Sequence, residues 1–254
     1  MQIDLDTIVA CVVESVAASD AIDPMAVRFL LSQYAATGSD ELSAIVGRAL
    51  ALALDQHGAA PAEERAEWLR LFADAAVWSE DERVAAAIVS LLPIVDVRAA
   101  DGIDAVLHAS TTIGDRARLS AAVDALEQLV ARGYEPGDGV AAADQFTVAS
   151  ALLTAFDITG RLPYAMLAEE LVQTAQRSGE PSDAASACRA ARVLCRLAAL
   201  HGDDEYMRAA VVAAGADYRG DSERLLAAHA ARALETPRTA ALYGLALAHW
   251  RGLH

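Results

Sequence analysis

A short phrase occurs twice in the second half of the chain and limits the folds that the chain can adopt. The stretches FDITGRLPYAMLAEEL (156–171) and LAALHGDDEYMRAAVV (197–212) each hold an apolar run ending near a Gly, a Tyr four residues after the Gly, and a second apolar run. Gly ends a helix readily because it takes the left-handed conformation at low cost. The phrase therefore indicates two helices joined by a tight turn, and the chain repeats this helical hairpin.

The same hinge recurs along the whole sequence at an irregular period of about forty residues, which is typical of repeated helical hairpins. We place the hinges near residues 38, 79, 114, 160, 202 and 236. All seven prolines fall at or near the ends of the helices that these hinges define, as helices require. No run with strand periodicity is found, so the sequence predicts an all-α protein that forms one domain over residues 1–254.

Six hairpins follow a lead helix at about residues 5–18. We expect the first helices of the hairpins at 24–36, 62–78, 101–113, 142–159, 182–201 and 222–234. We expect the second helices at 39–56, 80–92, 115–132, 163–178, 203–216 and 238–251. Six hairpins can close into a ring with the first helices inside, or they can stack as an open α-solenoid.

The stretch PSDAASACRAARVLCRLAALHGDDEYMRAA (181–210) resembles the (α/α)6 toroids of the six-hairpin glycosidase superfamily. It is most similar to the helical C-terminal region of thioredoxin-domain-containing proteins and to N-acylglucosamine 2-epimerase-like proteins. DQFTVASALLTAFDITGRLPYAMLAEEL (144–171) looks like a second copy of the phrase. The resemblance implies a closed toroid whose central funnel binds or acts on a small polar or sugar-like ligand.

Charge excludes several classes of partner. The chain has a formal charge of −16, and all 20 of its basic residues are Arg. An acidic surface repels phosphate backbones and anionic lipid surfaces, so we expect no binding to nucleic acid or to membranes. No apolar stretch is long enough to span a bilayer, and the first twenty residues lack the basic start of a signal peptide.

Cysteine and histidine usage indicates a reduced, cytoplasmic chain without metal or cofactor. The three cysteines are an odd number, and Cys188 and Cys195 lie about 10 Å apart along one helix, too far for a disulfide. No second Cys or His has zinc-ligand spacing.

Two sets of acidic residues are candidates for catalysis. Asp104 and His108 are four residues apart on one predicted helix, and a carboxylate beside an imidazole suits a general base. An ordinary pair on a helix face is the alternative. Acids also mark the starts of four first helices, where they could ring one mouth of the toroid or simply cap the helices: Asp101, Asp144, Asp183 and Asp221.

A stripe of arginines is the candidate binding surface. Arg189, Arg192 and Arg196 follow the spacing i, i+3, i+7 and therefore share one face of a predicted first helix. Buried guanidinium groups need partners, which would be either an anionic ligand or acids on neighbouring helices. The candidate acids are Asp74, Asp104 and Asp157. Trp68 is an additional candidate for ligand contact, with core packing as its alternative.

Three functions remain open at this point. The first is a small-molecule site in the central funnel; the others are a non-enzymatic helical scaffold for protein interaction and a homo-oligomer formed through the outer helices. A polar channel favours the first function, whereas a channel filled by Ala and Leu favours the other two.

Overall fold

The computed structural model describes residues 3–133, 142–210 and 215–253 of the chain. Every regular element within these ranges is helical, and no strand occurs in them, so the predicted all-α class is confirmed. None of the described helices is both long and apolar enough to cross a membrane.

Thirteen α-helices lie in the described ranges. In chain order they are α1 (Leu5–Ala18), α2 (Pro24–Thr37), α3 (Asp40–Gln56), α4 (Arg65–Ala75), α5 (Glu82–Leu91), α6 (Ala100–Ile113), α7 (Arg116–Gly133), α8 (Ala142–Thr159), α9 (Leu162–Ser178), α10 (Ala184–His201), α11 (Asp204–Ala209), α12 (Tyr218–His229) and α13 (Pro237–Arg251). Three single turns of 3-10 helix precede α4 or follow α3 and α12.

The helix breaks follow ordinary capping chemistry. Gly38, Gly114 and Gly160 have φ values of 65°, 73° and 67°, the left-handed conformation expected of a residue that ends a helix. Gly202 differs, since its φ is −79°. There the break depends on Asp203, whose carboxylate accepts hydrogen bonds from the first turn of α11.

The tyrosines of the repeated phrase have equivalent contacts. Tyr164 donates a hydrogen bond to Glu127 over 2.6 Å, and Tyr206 donates one to Glu169 over 3.2 Å. In each pair the Glu lies 37 residues before the Tyr, on the long helix that precedes it on the covering side. In both copies of the phrase the Tyr thus joins its hairpin to the one before.

Six helices line a central cavity; we call them the lining helices: α2, α4, α6, α8, α10 and α13. Contacts join α2 to α4, α4 to α6, α6 to α8, α8 to α10, α10 to α13 and α13 to α2. The other long helices cover them from outside: α3 packs on α2, α5 on α4, α7 on α6, α9 on α8, α12 on α10 and α13, and α1 on α13 and α2.

The last hairpin reverses our assignment of inner and outer helices. We expected 222–234 inside and 238–251 outside, but α13 lines the cavity and α12 does not. The expected second helix at 203–216 is also too long, since α11 ends at Ala209. The reason is composition: α13 is buried from Tyr243 to Leu247, whereas α12 is charged and buries four residues.

A close approach between α13 and α2 depends on Gly244. A Cβ atom at this position would lie 2.5 Å from Cε2 of Phe29, a separation that real Cβ atoms essentially never show, and 3.0 Å from Cγ2 of Ile8, a tight contact. Glycine thus lets α13 pack tightly against both α2 and α1.

Candidate ligand-binding cavity

The cavity between the lining helices has a volume of about 290 Å³. Four of them contribute a triplet of side chains at the spacing i, i+3, i+7, which places all three on one helix face. The triplets are Glu67–Arg70–Asp74 on α4, Asp101–Asp104–His108 on α6, Thr147–Ser150–Thr154 on α8 and Arg189–Arg192–Arg196 on α10. The remaining lining residues are Met25, Arg28, Ala66, Ala185, Val193, Arg238 and Leu242.

The triplets lie at matching heights because neighbouring lining helices run parallel. Arg70 bonds to Asp104, and four residues further along both helices Asp74 contacts His108. On α8 and α10, Thr147 pairs with Arg189 and Thr154 with Arg196. The helix starts, which carry partial positive charge, are therefore at the same end of the cavity.

Asp74 is held between two basic groups from neighbouring helices. Its carboxylate accepts from Arg28 Nε over 2.7 Å and lies 2.8 Å from His108 Nε2. Burial alone would raise the pKa of Asp74, but Arg28 and the hydrogen bond with His108 hold that pKa well below its usual value. The imidazole of His108 thus faces a carboxylate that stays ionised, an arrangement that suits proton transfer.

Asp104 lies one helical turn nearer to the helix starts than His108 does. Its Oδ2 accepts from Arg70 Nη2 over 2.5 Å and from Ser150 Oγ over 3.0 Å. Burial would raise the pKa of Asp104, and the charges of Arg70 and Arg196 outweigh it, so the pKa is lowered. Asp104 therefore neutralises Arg70 and has no contact with His108 comparable to that of Asp74.

The three arginines of α10 differ in their partners. Arg196 donates to Asp157 over 2.7 Å, to the carbonyl of Ser150 over 3.1 Å and to Thr154 over 3.3 Å. Arg189 donates to the hydroxyl of Thr147 over 2.8 Å. Among the described residues, Arg196 is thus balanced by a carboxylate, whereas Arg189 on the same helix face contacts a hydroxyl group.

Arg192 stands apart from both. Among the described residues it forms no hydrogen bond and no ion pair, and its Nε atom is fully buried. Burial, together with the charges of Arg28, Arg70 and Arg196, lowers the pKa of Arg192 to about 9. Arg28 has a second donor of this kind, because its Nη1 is buried without a hydrogen-bond partner in the described structure.

The cavity is basic although the protein is acidic. Six arginines and four acids line it, which gives a formal charge of +2 with His108 neutral, whereas the whole chain has a charge of −16. Opposite charges attract more strongly in a partly buried site than in open water. The cavity therefore suits an anion.

Most of the sequence-derived candidates lie in this cavity. Arg189, Arg192, Arg196, Asp104 and His108 all line it. Our pairing of Asp104 with His108 changes, however, because the carboxylate beside His108 belongs to Asp74 of the neighbouring helix.

Other candidates lie elsewhere. Trp68 is buried against Phe72 and does not line the cavity, because residue 68 is turned away from the face that carries Glu67 and Arg70. Of the helix-start acids, Asp101 lines the cavity, Asp183 caps α10, and Asp221 bonds to Gln176 on the covering side. The side chain of Asp144 is outside the described part of the structure.

Sequence reasoning missed Arg28, Arg70 and the hydroxyl triplet of α8 as cavity residues. A signal for two of these existed. The last residues of the four triplets stand five or six positions before the hinges near 79, 114, 160 and 202. Aligning the repeats on their hinges would have brought three of the polar triplets into register and the triplet of α4 within one position of them.

No cluster of three or more His, Cys, Asp or Glu side chains in the described ranges is arranged to hold a metal ion. Comparison with known proteins gave no further guidance: no protein-family model, no curated protein and no solved structure matches this chain.

Proposed function

We propose that the chain forms a closed (α/α)6 toroid and that its central cavity binds a small polar ligand carrying an anionic group. Closure is supported by the contacts of α13 with both α10 and α2, and by the tight approach of Gly244 to Phe29. In an open solenoid, repeats at opposite ends of the chain have no reason to touch.

Solution scattering tests the closed ring independently of any ligand. A compact protein of 254 residues should have a radius of gyration of about 18 Å. A clearly larger value, with the profile of an elongated particle, would favour the open solenoid.

Ligand binding rests above all on the unpaired guanidinium of Arg192. An unpaired charge in a partly buried site is unfavourable, so proteins rarely keep one without a partner. The acids that could have neutralised it are committed elsewhere, Asp74 to Arg28 and Asp104 to Arg70. A bound anion would supply the missing partner through the planar fork of the guanidinium.

The polar lining also separates this function from the alternative of a passive scaffold. A channel packed with Ala and Leu would have favoured a scaffold. Most of the residues that line the cavity are instead charged or carry hydroxyl groups, and such groups fix the orientation of a small ligand.

The experiment is a thermal-shift screen of small anions and neutral sugars, on the wild type and on Arg192→Met. A ligand bound to the folded state raises the melting temperature. We expect some anions to do so in the wild type and to lose the effect in Arg192→Met, while neutral sugars alone act weakly on both. Arg83→Ala, which removes an exposed arginine, is the matched control and should respond like the wild type.

The proposal fails if no anion stabilises the wild type, or if the same anions stabilise Arg192→Met equally. Either outcome would mean that the guanidinium of Arg192 is not a ligand-binding group.

A further inference from the structure

The charge of the cavity indicates how much negative charge its ligand carries. Arg28, Arg70 and Arg196 each have a carboxylate partner, whereas Arg189 contacts a hydroxyl and Arg192 has no partner among the described residues. The residues that line the cavity carry a formal charge of +2 with His108 neutral. A ligand with two negative charges would offset this charge, and a ligand with one would leave a surplus.

The free donors come from two different helices, and this bears on the shape of the anion. Nη1 of Arg28, on α2, and the guanidinium of Arg192, on α10, approach from different helices and are both without partners in the described structure. A carboxylate has two oxygens in one plane and matches a single planar fork. A phosphate monoester has three terminal oxygens in three directions, so it can accept from several forks at once.

The end of the cavity near the helix starts has a different character. The carboxylate of Asp101 lines it and has no hydrogen-bond or ion-pair partner among the described residues. Glu67 lies at the same level and is bonded to Arg238. A free carboxylate repels a second anion but accepts hydrogen bonds from hydroxyl groups, so this end suits the uncharged, hydroxylated part of a ligand.

Size and lining limit the rest of the ligand. The cavity, at about 290 Å³, is at the lower end of the range of roughly 300–1,000 Å³ for small-molecule sites. Apart from the His108 imidazole, no aromatic ring is among the residues that line it in the described structure. It therefore offers room for a molecule about as large as one sugar, and no platform on which a nucleobase would stack.

We infer that the ligand is a small polyhydroxylated phosphate monoester, bound as a dianion with its phosphate between Arg28 and Arg192 and its hydroxyl groups towards Asp101. The inference rests on the proposed function, because it specifies the anion that the same cavity binds.

The test compares four small anions that differ in charge and shape and have no stereochemistry. Methyl phosphate is a tetrahedral dianion at pH 8, methyl sulfate is a tetrahedral monoanion, acetate is a planar monoanion and malonate carries two planar carboxylates. Each is titrated by calorimetry into the wild type and Arg192→Met at constant ionic strength, since salt screens charge interactions.

We expect methyl phosphate to bind the wild type at least about tenfold more tightly than the other three anions, and to lose at least about tenfold in Arg192→Met. Its affinity should fall about tenfold per pH unit below roughly pH 6, where the phosphate takes up a proton. The melting temperature of the ligand-free variant is measured in parallel, to show that the loss does not come from unfolding.

A second comparison tests whether the ligand carries hydroxyl groups beside its phosphate. Glucose 6-phosphate, mannose 6-phosphate and glycerol 3-phosphate are titrated beside methyl phosphate. At least one should bind about tenfold more tightly than methyl phosphate. Asp101→Asn should reduce this advantage, whereas methyl phosphate, which has no hydroxyl group, should bind the variant at least as tightly as the wild type because a repelling charge is removed.

The outcomes separate the two proposals. If acetate or malonate binds as tightly as methyl phosphate in an Arg192-dependent way, the phosphate assignment is wrong and anion binding stands. If none of the four anions binds in an Arg192-dependent way, both proposals fail. If the hydroxylated phosphates bind no better than methyl phosphate, the polyhydroxylated part of the inference is wrong.

Discussion

Two polar clusters lie inside this all-helical protein, and they differ in how completely their groups are paired. The first is the central cavity. The second, which we call the Glu169 cluster, joins α9, α10, α11 and α12 through Glu169, His201, Tyr206 and Tyr218.

In the Glu169 cluster the donors converge on one carboxylate. The side chain of Glu169 is 3% exposed. Its oxygens lie 2.9 Å from His201 Nε2, 3.2 Å from Tyr206 Oη and 2.9 Å from Tyr218 Oη. Burial, and then the neighbouring Glu169 charge, raises the pKa of Tyr206, so its hydroxyl keeps the proton that it donates. The cluster is a buried hydrogen-bond network that holds four helices together.

The central cavity has the opposite balance. Its cations outnumber its acids, and buried nitrogen atoms of Arg28 and Arg192 have no partner in the described structure. A satisfied buried network stabilises a fold, whereas unsatisfied groups around an open space are the groups that we propose a ligand pairs with.

The largest effect should come from breaking the satisfied cluster. Glu169→Ala removes the carboxylate that three side chains share, and leaves them buried without an acceptor. We expect the free energy of unfolding to fall by about 3–5 kcal/mol, measured by urea denaturation. Glu170→Ala, one residue along and exposed, should stay within about 0.5 kcal/mol. Similar values for the two variants would contradict a structural role for the cluster.

Removing a paired acid from the cavity should also destabilise the folded protein, and the size of the effect should depend on pH. Asp74→Asn removes the counter-charge of Arg28 and the acceptor of His108, so we expect a loss of about 1–3 kcal/mol at neutral pH.

The pH dependence follows from the lowered pKa of Asp74 in the folded state. The ionised carboxylate stabilises the folded protein above the unfolded pKa, which is 3.8, and this contribution is lost as the pH falls towards the folded value. Stability of the wild type should therefore drop more steeply in acid than that of Asp74→Asn, by up to about 1.4 kcal/mol per pH unit. Parallel curves of stability against pH for the two proteins below pH 4 would show that the neighbours of Asp74 do not lower its pKa.

Removing the unpaired arginine should act in the opposite direction. Arg192→Met replaces a cation, repelled by three other arginines, with an apolar side chain of similar length. We expect the ligand-free protein to become more stable by about 1–2 kcal/mol, measured by urea denaturation. Arg196→Met, one turn further along α10, removes the partner of Asp157 and should be destabilising. If both variants lose stability alike, Arg192 has a structural partner and the contrast between the clusters fails.

The sequence predicts much of this arrangement and misses some of it for definable reasons. The hinges at Gly38, Gly114 and Gly160 are local, since they need only a residue that accepts positive φ. The arginine stripe of α10 is local as well, because helical periodicity alone puts its members on one face.

What could not be predicted depends on neighbours that are distant in sequence. Arg28 and Asp74 are 46 residues apart, and nothing in either segment names the other as its partner. The reversal of α12 and α13 has a similar cause. The hinge pattern is the same whichever helix lies inside, and the burial of α13 over residues 243–247 shows which helix is the inner one.

The smallest effect compares the two tyrosines of the repeated phrase. Both residues are buried, and both donate to a Glu 37 positions earlier. The acceptors differ: Glu169 is almost fully buried, whereas the side chain of Glu127 is 47% exposed and is also bonded to Arg161. Tyr206→Phe should therefore cost about 1 kcal/mol of unfolding free energy, because it leaves a buried carboxylate short of a donor, and Tyr164→Phe should cost less than about 0.5 kcal/mol, because water can replace the lost hydroxyl. Equal costs would mean that pairing, and not burial of the acceptor, sets the contribution of each tyrosine.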